Sequence, residues 1–398
     1  MSWPEYALDE IGSVSRGRSR HRPRDAAHLY GGEYPFIQTG DVKHAGLYLT
    51  EFEQTYSEDG LAQSKLWPEG TLCITIAANI ADTSILKIDA CFPDSVIGFI
   101  PDPNKSDARF VKYLFDAALK KKFKAFTQGA AQDNLSQGKL LSLKFPIPEL
   151  IIQRRIANIL STYDDLIENN RRRIALLEYA ARQLYKEWFV RFRFPGHEHV
   201  KIIDGVPEGW KMKTLGDVAN TNEASHKAKE LPASINYIDI SSVTQGGVDQ
   251  KTTMLSDEAP GRARRIANHG DIIWSNVRPN LKAYALVMEP EESDVFSTGF
   301  TVLTAKTVPH LFLYQFVTTE NFVSHLVNHA TGSSYPAVRP PDFEKAELLL
   351  PPNSLLSQYQ EICEPSYALI SKLVAQNRSL AEARDLLLPK LMSGEIAA

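Results

Sequence analysis

Five arginines near the start of the chain alternate with small or polar residues in the segment RGRSRHRPR. A segment with so much charge belongs on the surface of a protein rather than in its core. Arginine grips phosphate oxygens and pairs with guanine in the major groove of DNA, so the segment is a candidate for nucleic-acid contact. An ordinary solvated surface is the alternative interpretation. The five residues are Arg16, Arg18, Arg20, Arg22 and Arg24.

Further residues suited to nucleic acid occur in short polar loops of both halves of the chain. The second half contains PGRARRIANHG, SNVRPN and GSSYPAV, and the first half contains the polar loop QGAAQDN. Asparagine and glutamine amides are natural readers of adenine. A solvated surface is again the alternative for each loop. These additional candidates are Asn79, Gln128, Gln132, Asn134, Arg262, Arg264, Arg265, Asn276, Arg278, Asn280, Ser333, Ser334 and Tyr335.

Motifs for catalysis are missing from the sequence. It contains no GxxxxGK[ST] phosphate loop, no Gly-rich methyl-donor loop after a strand, and no Asn-Pro-Pro-aromatic or Asp-Pro-Pro-aromatic motif. Asp342 and Glu344 resemble a nuclease metal site only weakly, because no further carboxylate supports them. The HEH triplet, His197 to His199, lacks the i, i+4 spacing of a zinc protease. The sequence therefore predicts a non-catalytic chain that binds neither a metal nor a cofactor.

The composition is that of a soluble protein with more than one domain. The chain has 398 residues, of which 43% are hydrophobic and 23% charged. A net charge of -4 leaves room for a local basic face. Cys73, Cys91 and Cys363 form no CxxC pair and are predicted to be buried apolar side chains. The N-terminus does not resemble a signal peptide and no apolar run is long enough to span a membrane, so we expect a cytoplasmic protein.

The chain repeats itself at an offset that varies between 200 and 207 residues. PFIQTGDV (Pro35 to Val42) matches NYIDISSV (Asn236 to Val243), and EGTLCIT (Glu69 to Thr75) matches HGDIIWS (His269 to Ser275). Each matched pair is typical of a short β-strand led by a turn residue. We therefore expect two related domains rich in short strands.

A long helix is predicted after each copy. The first covers about Glu149 to Phe194, which is rich in Leu, Ile, Ala, Arg and Glu and lacks internal Gly and Pro. The second is predicted from about Ser366 to Leu388, with Pro365 at its start or at a kink and Pro389 at its end. About 40 helical residues extend roughly 60 Å, so such a rod needs a partner along its length.

Apolar spacing suggests that the two helices are partners. Both show a heptad seam, the two seams correspond at an offset of 207, and both contain an asparagine. A buried asparagine is satisfied by a like partner in one register, so Asn170 and Asn377 are candidates to fix the alignment of the helices. Two asparagines on solvated faces are the alternative. The first seam is Tyr163, Leu166, Asn170, Arg173, Leu177, Ala180 and Leu184, and the second is Ile370, Leu373, Asn377, Leu380, Arg384, Leu387 and Leu391.

Two copies related by an approximate two-fold axis would pack their equivalent helices antiparallel, with the strand-rich domains at opposite ends. Such a protein suits a DNA target of two half-sites about one helical turn apart. The fold class predicted is α+β, with two pseudo-repeated domains joined by two long antiparallel helices that form a coiled-coil spacer.

Four segments resemble a known family. LEYAARQLYKEWFVRFRFPGHE (Leu177 to Glu198), LAEARDLLLPKLMSGEI (Leu380 to Ile396), GVPEGWKMKTLGDVA (Gly205 to Ala219) and IPELIIQRRIANIL (Ile147 to Leu160) are similar to the specificity subunits of type I restriction-modification enzymes. The similarity covers essentially the whole chain. It implies two target-recognition domains joined by antiparallel helices, which agrees with the organisation expected from the repeat.

The resemblance also implies partners. They are double-stranded DNA, two modification subunits that use S-adenosylmethionine, and restriction subunits that use ATP and Mg; no membrane partner is expected. A helical scaffold that does not read DNA, and an autonomous nuclease, are the alternatives. The predicted organisation is a target-recognition domain at 1–149, a spacer helix at 150–194, a linker at 195–209, a second target-recognition domain at 210–352, and a second spacer helix with the C-terminal tail at 353–398.

Overall fold

The computed structural model describes residues 3–77, 80–119, 136–227 and 230–398, and the element labels below number the described elements in chain order. The chain divides into two compact units. Unit 1 combines Met1–Arg171 with Ala375–Ala398, and unit 2 is the continuous stretch Arg172–Val374. Each of two long helices begins in one unit and ends in the other.

Unit 1 contains the first copy of the repeat. Its strands are β1 (Glu5–Tyr6), β2 (Gly12–Arg16), β3 (Tyr30–Phe36), β4 (Tyr48–Leu49), β5 (Gln54–Tyr56), β6 (Leu66–Trp67), β7 (Leu72–Thr75), β8 (Thr83–Leu86), β9 (Ala90–Cys91), β10 (Val96–Pro101) and β11 (Phe145–Pro146). Its helices are α1 (Leu8–Ile11), α2 (Thr39–His44), α3 (Glu58–Ala62), α4 (Ala108–Leu114), α5 (Gln137–Ser142) and the start of the long helix α6 (Leu150–Tyr185).

Unit 2 contains the second copy. Its strands are β12 (Ile202–Ile203), β13 (Val206–Pro207), β14 (Lys211–Thr214), β15 (Ala219–Thr221), β16 (Ser234–Ile238), β17 (Val243–Thr244), β18 (Gly247–Val248), β19 (Thr252–Leu255), β20 (Ala263–Arg265), β21 (Ile272–Ser275), β22 (Tyr284–Leu286), β23 (Asp294–Ser297), β24 (Phe300–Ala305) and β25 (Glu347–Leu350). Its helices are α7 (Leu215–Val218), α8 (His310–Val317), α9 (Glu320–His329), α10 (Pro340–Glu344) and the start of the long helix α11 (Asn353–Met392).

The two copies share the strand order of their two sheets, except that the edge strand β4 of the first copy has no counterpart in the sheet order of the second. In the first copy the strands are ordered β2-β10-β7-β8-β4 and β5-β3-β9-β6, and in the second β15-β24-β21-β22 and β19-β16-β23-β20. A parallel pair occupies the same place in each copy, β3 with β9 and β16 with β23. The internal repeat predicted from the sequence is therefore confirmed at the level of the fold.

One matched pair of strands shows why the repeat was visible in the sequence. Leu72–Thr75 and Ile272–Ser275 are buried along their whole length, so both consist of apolar and small residues. Each strand is preceded by a glycine with positive φ, 85° at both Gly70 and Gly270. Glycine adopts this conformation without a steric cost, which explains why both turns carry it.

The long helices differ from their predicted limits. Helix α6 ends at Tyr185 and continues into a π-helical turn, Lys186–Val190, short of the predicted Phe194. The predicted start of the second helix near Ser366 is wrong, because α11 begins at Asn353 and contains Pro365. Proline costs a helix one hydrogen bond. Burial of Leu356 and Tyr359 stabilises the helical turns before this proline, which were not predicted from the sequence.

Within each unit the two long helices run antiparallel. In unit 1, Asn170 of α6 donates a hydrogen bond to Asn377 of α11 at 3.0 Å. In unit 2, the hydroxyl of Tyr359 donates to the carbonyl of Ala181 at 3.0 Å. Within unit 1, Asp164, which precedes Asn170 on α6, pairs with Arg384, which follows Asn377 on α11. Within unit 2, the charge of Glu178, which precedes Ala181, acts on Tyr367, which follows Tyr359. In each unit the partner numbers therefore fall on one helix as they rise on the other, which defines the antiparallel direction.

The predicted seam of the first helix is partly wrong. Leu166, Arg173 and Ala180 are exposed, whereas the next residues, Ile167, Ile174 and Ala181, are buried or half-buried. The helix period of 3.6 residues lets either of two adjacent residues face inward. Only at Arg173 and Ile174 is the residue that faces inward clearly the more apolar of the two. The second predicted seam faces inward at all seven positions, including Arg384.

Each unit has a core that joins its sheets to the helices. In unit 1, Leu160 of α6 and Leu391 of α11 belong to the same cluster as Ile74 and Phe99 of the sheet. In unit 2, the cluster joins aromatic residues at the end of α6 to Trp274 of β21. Cys73, Cys91 and Cys363 are buried free thiols, as predicted. Among the described residues, no helix is both long and apolar enough to cross a membrane.

Candidate nucleic-acid interface

The arginine-rich segment of the first copy follows β2 and is fixed by its backbone to the loop between β9 and β10. The amide of Arg18 donates to the carbonyl of Phe92 at 2.9 Å, and the amide of Gly17 donates to Val96 at 2.9 Å. A Cβ at Gly17 would overlap the carbonyl oxygens of Phe92 and Pro93. Glycine is thus required for the close approach that leads the arginines onto the surface.

Two of the predicted arginines meet at Asp94. The Arg24 guanidinium bonds both carboxylate oxygens at 3.0 and 2.9 Å, and Arg16 Nε donates to the Asp94 carbonyl at 2.8 Å. Both members of the Arg24–Asp94 pair are exposed, at 47% and 40%. Exposed pairs contribute about 0–1 kcal/mol, so a phosphate group could compete for Arg24. The two arginines help to line a cleft of about 410 Å³.

Arg22 is used differently. Its Nη1 donates to the carbonyls of Ser19 and His21 at 2.9 and 2.7 Å, so it stabilises the turn of its own segment. Arg18 and Arg20 are exposed. For these two side chains the described part of the chain provides no hydrogen bond or ion pair, so they are the arginines of this segment best placed for an external anion.

Lys65 joins this basic surface and was not among the sequence candidates. Its Nζ lies 3.5 Å from the centroid of the Trp67 ring. Burial, together with the charge of Arg18, lowers the pKa of Lys65. Lys65 directly precedes β6 as Arg262 precedes the topologically equivalent β20. A comparison of the residues before β6 and β20 in the two copies identifies Lys65 as a further candidate.

In the second copy, the turn between β23 and β24 holds two candidate segments together. The amide of Thr298 donates to the carbonyl of Arg262 at 2.8 Å, and the amide of Asn276 donates to Gly299 at 2.8 Å. The first copy has an equivalent bond, from the amide of Ile76 to the carbonyl of Ser95 at 3.0 Å. The same turn therefore anchors candidate contact segments in both copies.

Arg278 and Tyr335 form an exposed pair in the second copy. The guanidinium carbon of Arg278 lies 4.6 Å from the centroid of the Tyr335 ring, and Nη2 donates to the carbonyl of Ser334 at 3.3 Å. Tyr335 is 69% exposed. Stacking on the ring orients a planar guanidinium while leaving donors free. Asn280 and Ser333 are exposed beside these residues in sequence.

Three other predicted DNA-contact residues use their side chains for hydrogen bonds within the protein. Asn276 accepts a hydrogen bond from Thr301 Oγ1 at 2.6 Å, so its amide holds the turn rather than facing outward. Arg265 is half-buried, and burial lowers its pKa; its Nη1 donates to Ser225 at 3.0 Å. Arg264 donates to the carbonyl of the preceding residue at 2.6 Å.

Four predicted contacts, Asn79, Gln128, Gln132 and Asn134, lie outside the described residues.

The two carboxylates of the weak nuclease-like pattern each accept a hydrogen bond from a residue of the same unit. Asp342 accepts from the amide of Arg339 at 2.9 Å and thereby caps α10, whereas Glu344 accepts from Thr221 at 2.6 Å. These two carboxylates therefore have separate hydrogen-bond partners.

Residues 2–179 match the family model of the type I restriction modification DNA specificity domain. This match places the first copy among DNA specificity domains, and the second copy repeats most of the strand order of the first. Relatives match over nearly the whole chain. The type I restriction enzyme MjaIX specificity subunit of Methanocaldococcus jannaschii is 24% identical across 99% of this chain and 93% of its own. The HindI specificity subunit of Haemophilus influenzae is 21% identical across 99% of both chains.

A solved structure has the same fold. The S subunit of a type I restriction-modification system from M. genitalium aligns with a TM-score of 0.58 and 16% identity, over 98% of this chain and 96% of that one. Over nearly its whole length the chain is similar in sequence to specificity subunits of type I restriction-modification systems. The predicted family, and the fold class of two repeated domains with long spacer helices, are confirmed.

Proposed function

We propose that each copy reads one half of a split DNA target and that the chain performs no chemistry itself. The observation that carries this proposal is that the two copies share a strand framework but present different side chains on it. Both copies anchor their candidate loops on the same turn, yet one presents Arg18, Arg20 and Lys65 and the other presents Arg278 and Tyr335. Two readers of unlike half-sites need this combination of constant framework and divergent loops.

The residues divide into two roles. Arg18, Arg20 and Lys65 grip backbone phosphates, which gives affinity without sequence preference. Arg278 is held by Tyr335 and presents a planar fork to base edges, where arginine pairs best with guanine. The similarity to specificity subunits and the DNA specificity description of the matched domain both support this assignment.

Two modification subunits dock on the long helices, one in each unit. Both units expose large apolar side chains there, which would supply the apolar contacts of such interfaces. The modification subunits bring S-adenosylmethionine and transfer the methyl group, and restriction subunits bring ATP and Mg. The exposed residues are Ile151, Ile159, Leu166 and Leu386 in unit 1 and Leu176, Tyr179, Ile362 and Val374 in unit 2.

A domain exchange tests the proposal. Residues 205–352 are replaced by the equivalent segment of a relative with a different target, and the chain is expressed with its modification partner. Sequencing of methylated DNA should then show one half of the target changed and the other half retained. Exchange of residues 1–149 is the matched control and should change the opposite half.

Other outcomes contradict the proposal. A folded exchange variant that changes both halves, or neither, shows that the copies do not read separate half-sites. Methylation or cleavage by the purified chain without its partners shows that the chain is catalytic. If complexes form but bind DNA without dependence on salt or sequence, the chain is a scaffold that does not read DNA.

A further inference from the structure

Three side chains that could hold a metal ion converge in unit 2. His269 precedes β21, His310 is the first residue of α8, and Glu364 lies on α11. One donor atom from each lies within 4.8 Å of the others. His310 Nε2 is 3.9 Å from a carboxylate oxygen of Glu364. In the described ranges, no other group of three or more His, Cys, Asp or Glu residues meets this spacing.

Both imidazoles are arranged as ligands. His269 Nδ1 hydrogen-bonds the carbonyl of Met288. A carbonyl only accepts, so Nδ1 carries the proton and Nε2 keeps a free electron pair. His310 Nε2 is buried, and within the described part of the chain it has no hydrogen-bond partner. Buried polar atoms are almost always bonded, so an orphaned imidazole nitrogen facing a carboxylate calls for a ligand.

The carboxylate is also held in place. Gln360 lies one helical turn before Glu364 and donates its amide to Glu364 Oε2. The Gln360 carbonyl oxygen accepts from the amide of Leu311 at 3.3 Å. Gln360 thereby links α11 to the start of α8 and orients the carboxylate beside His310. Support of this kind from a neighbouring residue is typical of metal ligands.

We propose that His269, His310 and Glu364 bind one divalent transition-metal ion of the zinc type. Two imidazole nitrogens and one carboxylate oxygen suit this ion, and water would fill the fourth position. Bonds of about 2.1 Å in a tetrahedron place the donors about 3.4 Å apart, so the side chains must close inward by about an ångström.

The repeat limits the site to one per chain. At the offsets of 200, 201 and 207 that relate the copies, the equivalent residues of unit 1 are Glu69, Arg109 and Ala157. Arg109 is cationic and paired with Asp107 at 2.8 Å. The first copy therefore lacks a metal-binding set, and the expected stoichiometry is one ion per chain.

A bound ion would tie the turn before β21 and the start of α8 to the long helix α11. Strand β21 leads directly into the segment with Arg278. The ion would thus fix the second recognition domain to the part of α11 in its own unit. This role is separate from DNA reading, and the site can be tested without DNA.

The test uses the full chain after treatment with a strong chelator. It is titrated with Zn²⁺ against a chromophoric chelator, with circular dichroism as a check that each variant is folded. One ion should bind, and His269→Gln and Glu364→Gln should each weaken binding by at least about 10-fold. His269 is exposed, so its substitution leaves the core intact.

A matched control uses another histidine pair in the same unit. His325 and His329 are one turn apart on α9, with ring centroids 4.2 Å apart. The double variant His325→Gln/His329→Gln should bind zinc as the wild type does, and X-ray absorption should show two imidazole ligands. The proposal fails if the wild type cannot compete with the chelator, or if the control loses binding while the His269 and Glu364 variants keep it.

Discussion

Removing the carboxylate of Asp164 should loosen the helix pair of unit 1. Asp164 on α6 accepts hydrogen bonds from the Tyr113 hydroxyl of α4 and from Arg384 of α11. The side chains of Asp164 and Arg384 are 12% and 27% exposed, and Tyr113 is buried. One carboxylate therefore connects both long helices with the recognition domain of this unit.

The cost of Asp164→Ala follows from these contacts. Breaking a buried ion pair costs about 3–5 kcal/mol. Arg384 is partly exposed and also bonds Asp385 at 2.8 Å, so we discount this loss to about 2 kcal/mol. A buried Tyr113 hydroxyl without its acceptor adds about 1 kcal/mol. The total of about 3 kcal/mol corresponds to a roughly 100-fold larger population of the locally open state.

Hydrogen–deuterium exchange measures this opening where it occurs. Amides of α6 between residues 156 and 170 should exchange about 100-fold faster in Asp164→Ala, while those between 181 and 190, in unit 2, stay protected. Asp165→Ala is the control, because Asp165 is the exposed neighbour on the same helix. Unchanged protection near residue 164, or an equal loss in both regions, would refute the reasoning.

Three further predictions concern DNA and pH. The double variant Arg18→Ala/Lys65→Ala should reduce the slope of log affinity for DNA against log salt concentration by about 1.8, or 0.9 per phosphate contact. Fluorescence anisotropy of labelled DNA at several salt concentrations measures this slope. An unchanged slope contradicts phosphate contact by these two residues. Arg278→Ala should relax the half-site of the second copy by about 1–3 kcal/mol, seen as new methylated sequences in that half only. Burial raises the pKa of Glu178, so the folded state holds its proton more tightly than the unfolded state does. Stability should fall as pH rises from about 4.3 through the raised value, and Glu178→Gln should abolish that part of the fall in Tm; an identical pH profile in the variant counts against it.

The sequence predicted the repeat because buried strands such as Ile272–Ser275 preserve both their apolar character and the glycine before them. It mispredicted the start of α11, because a local proline signal was weighed without the burial of Tyr359 that only tertiary packing provides. Arg384 is a charged interruption of the apolar heptad pattern. Its partner Asp164 lies 220 residues away in sequence. Charge pairs across such distances leave no local pattern.

For the candidate site, the sequence predicts which residue types could contact DNA but not which of their side chains are bonded within the protein. Arg278 and Tyr335 were both predicted, yet their stacking joins two loops that only the fold brings together. Asn276 looked like a base reader and is instead bonded to Thr301. The contacts with DNA that were predicted for individual residues stay predictions.

The discontinuity of unit 1 has a consequence for the birth of the protein on the ribosome. Unit 2 is one uninterrupted stretch, whereas unit 1 needs Ala375–Ala398 to complete its core, where Leu391 and Met392 are buried. Domains generally fold as units while the chain emerges. We therefore expect the second domain to be finished first, and the N-terminal domain to wait with an open apolar groove until residues 375–398 leave the exit tunnel. A stop codon between residues 374 and 391 would then damage the N-terminal domain more than the second domain.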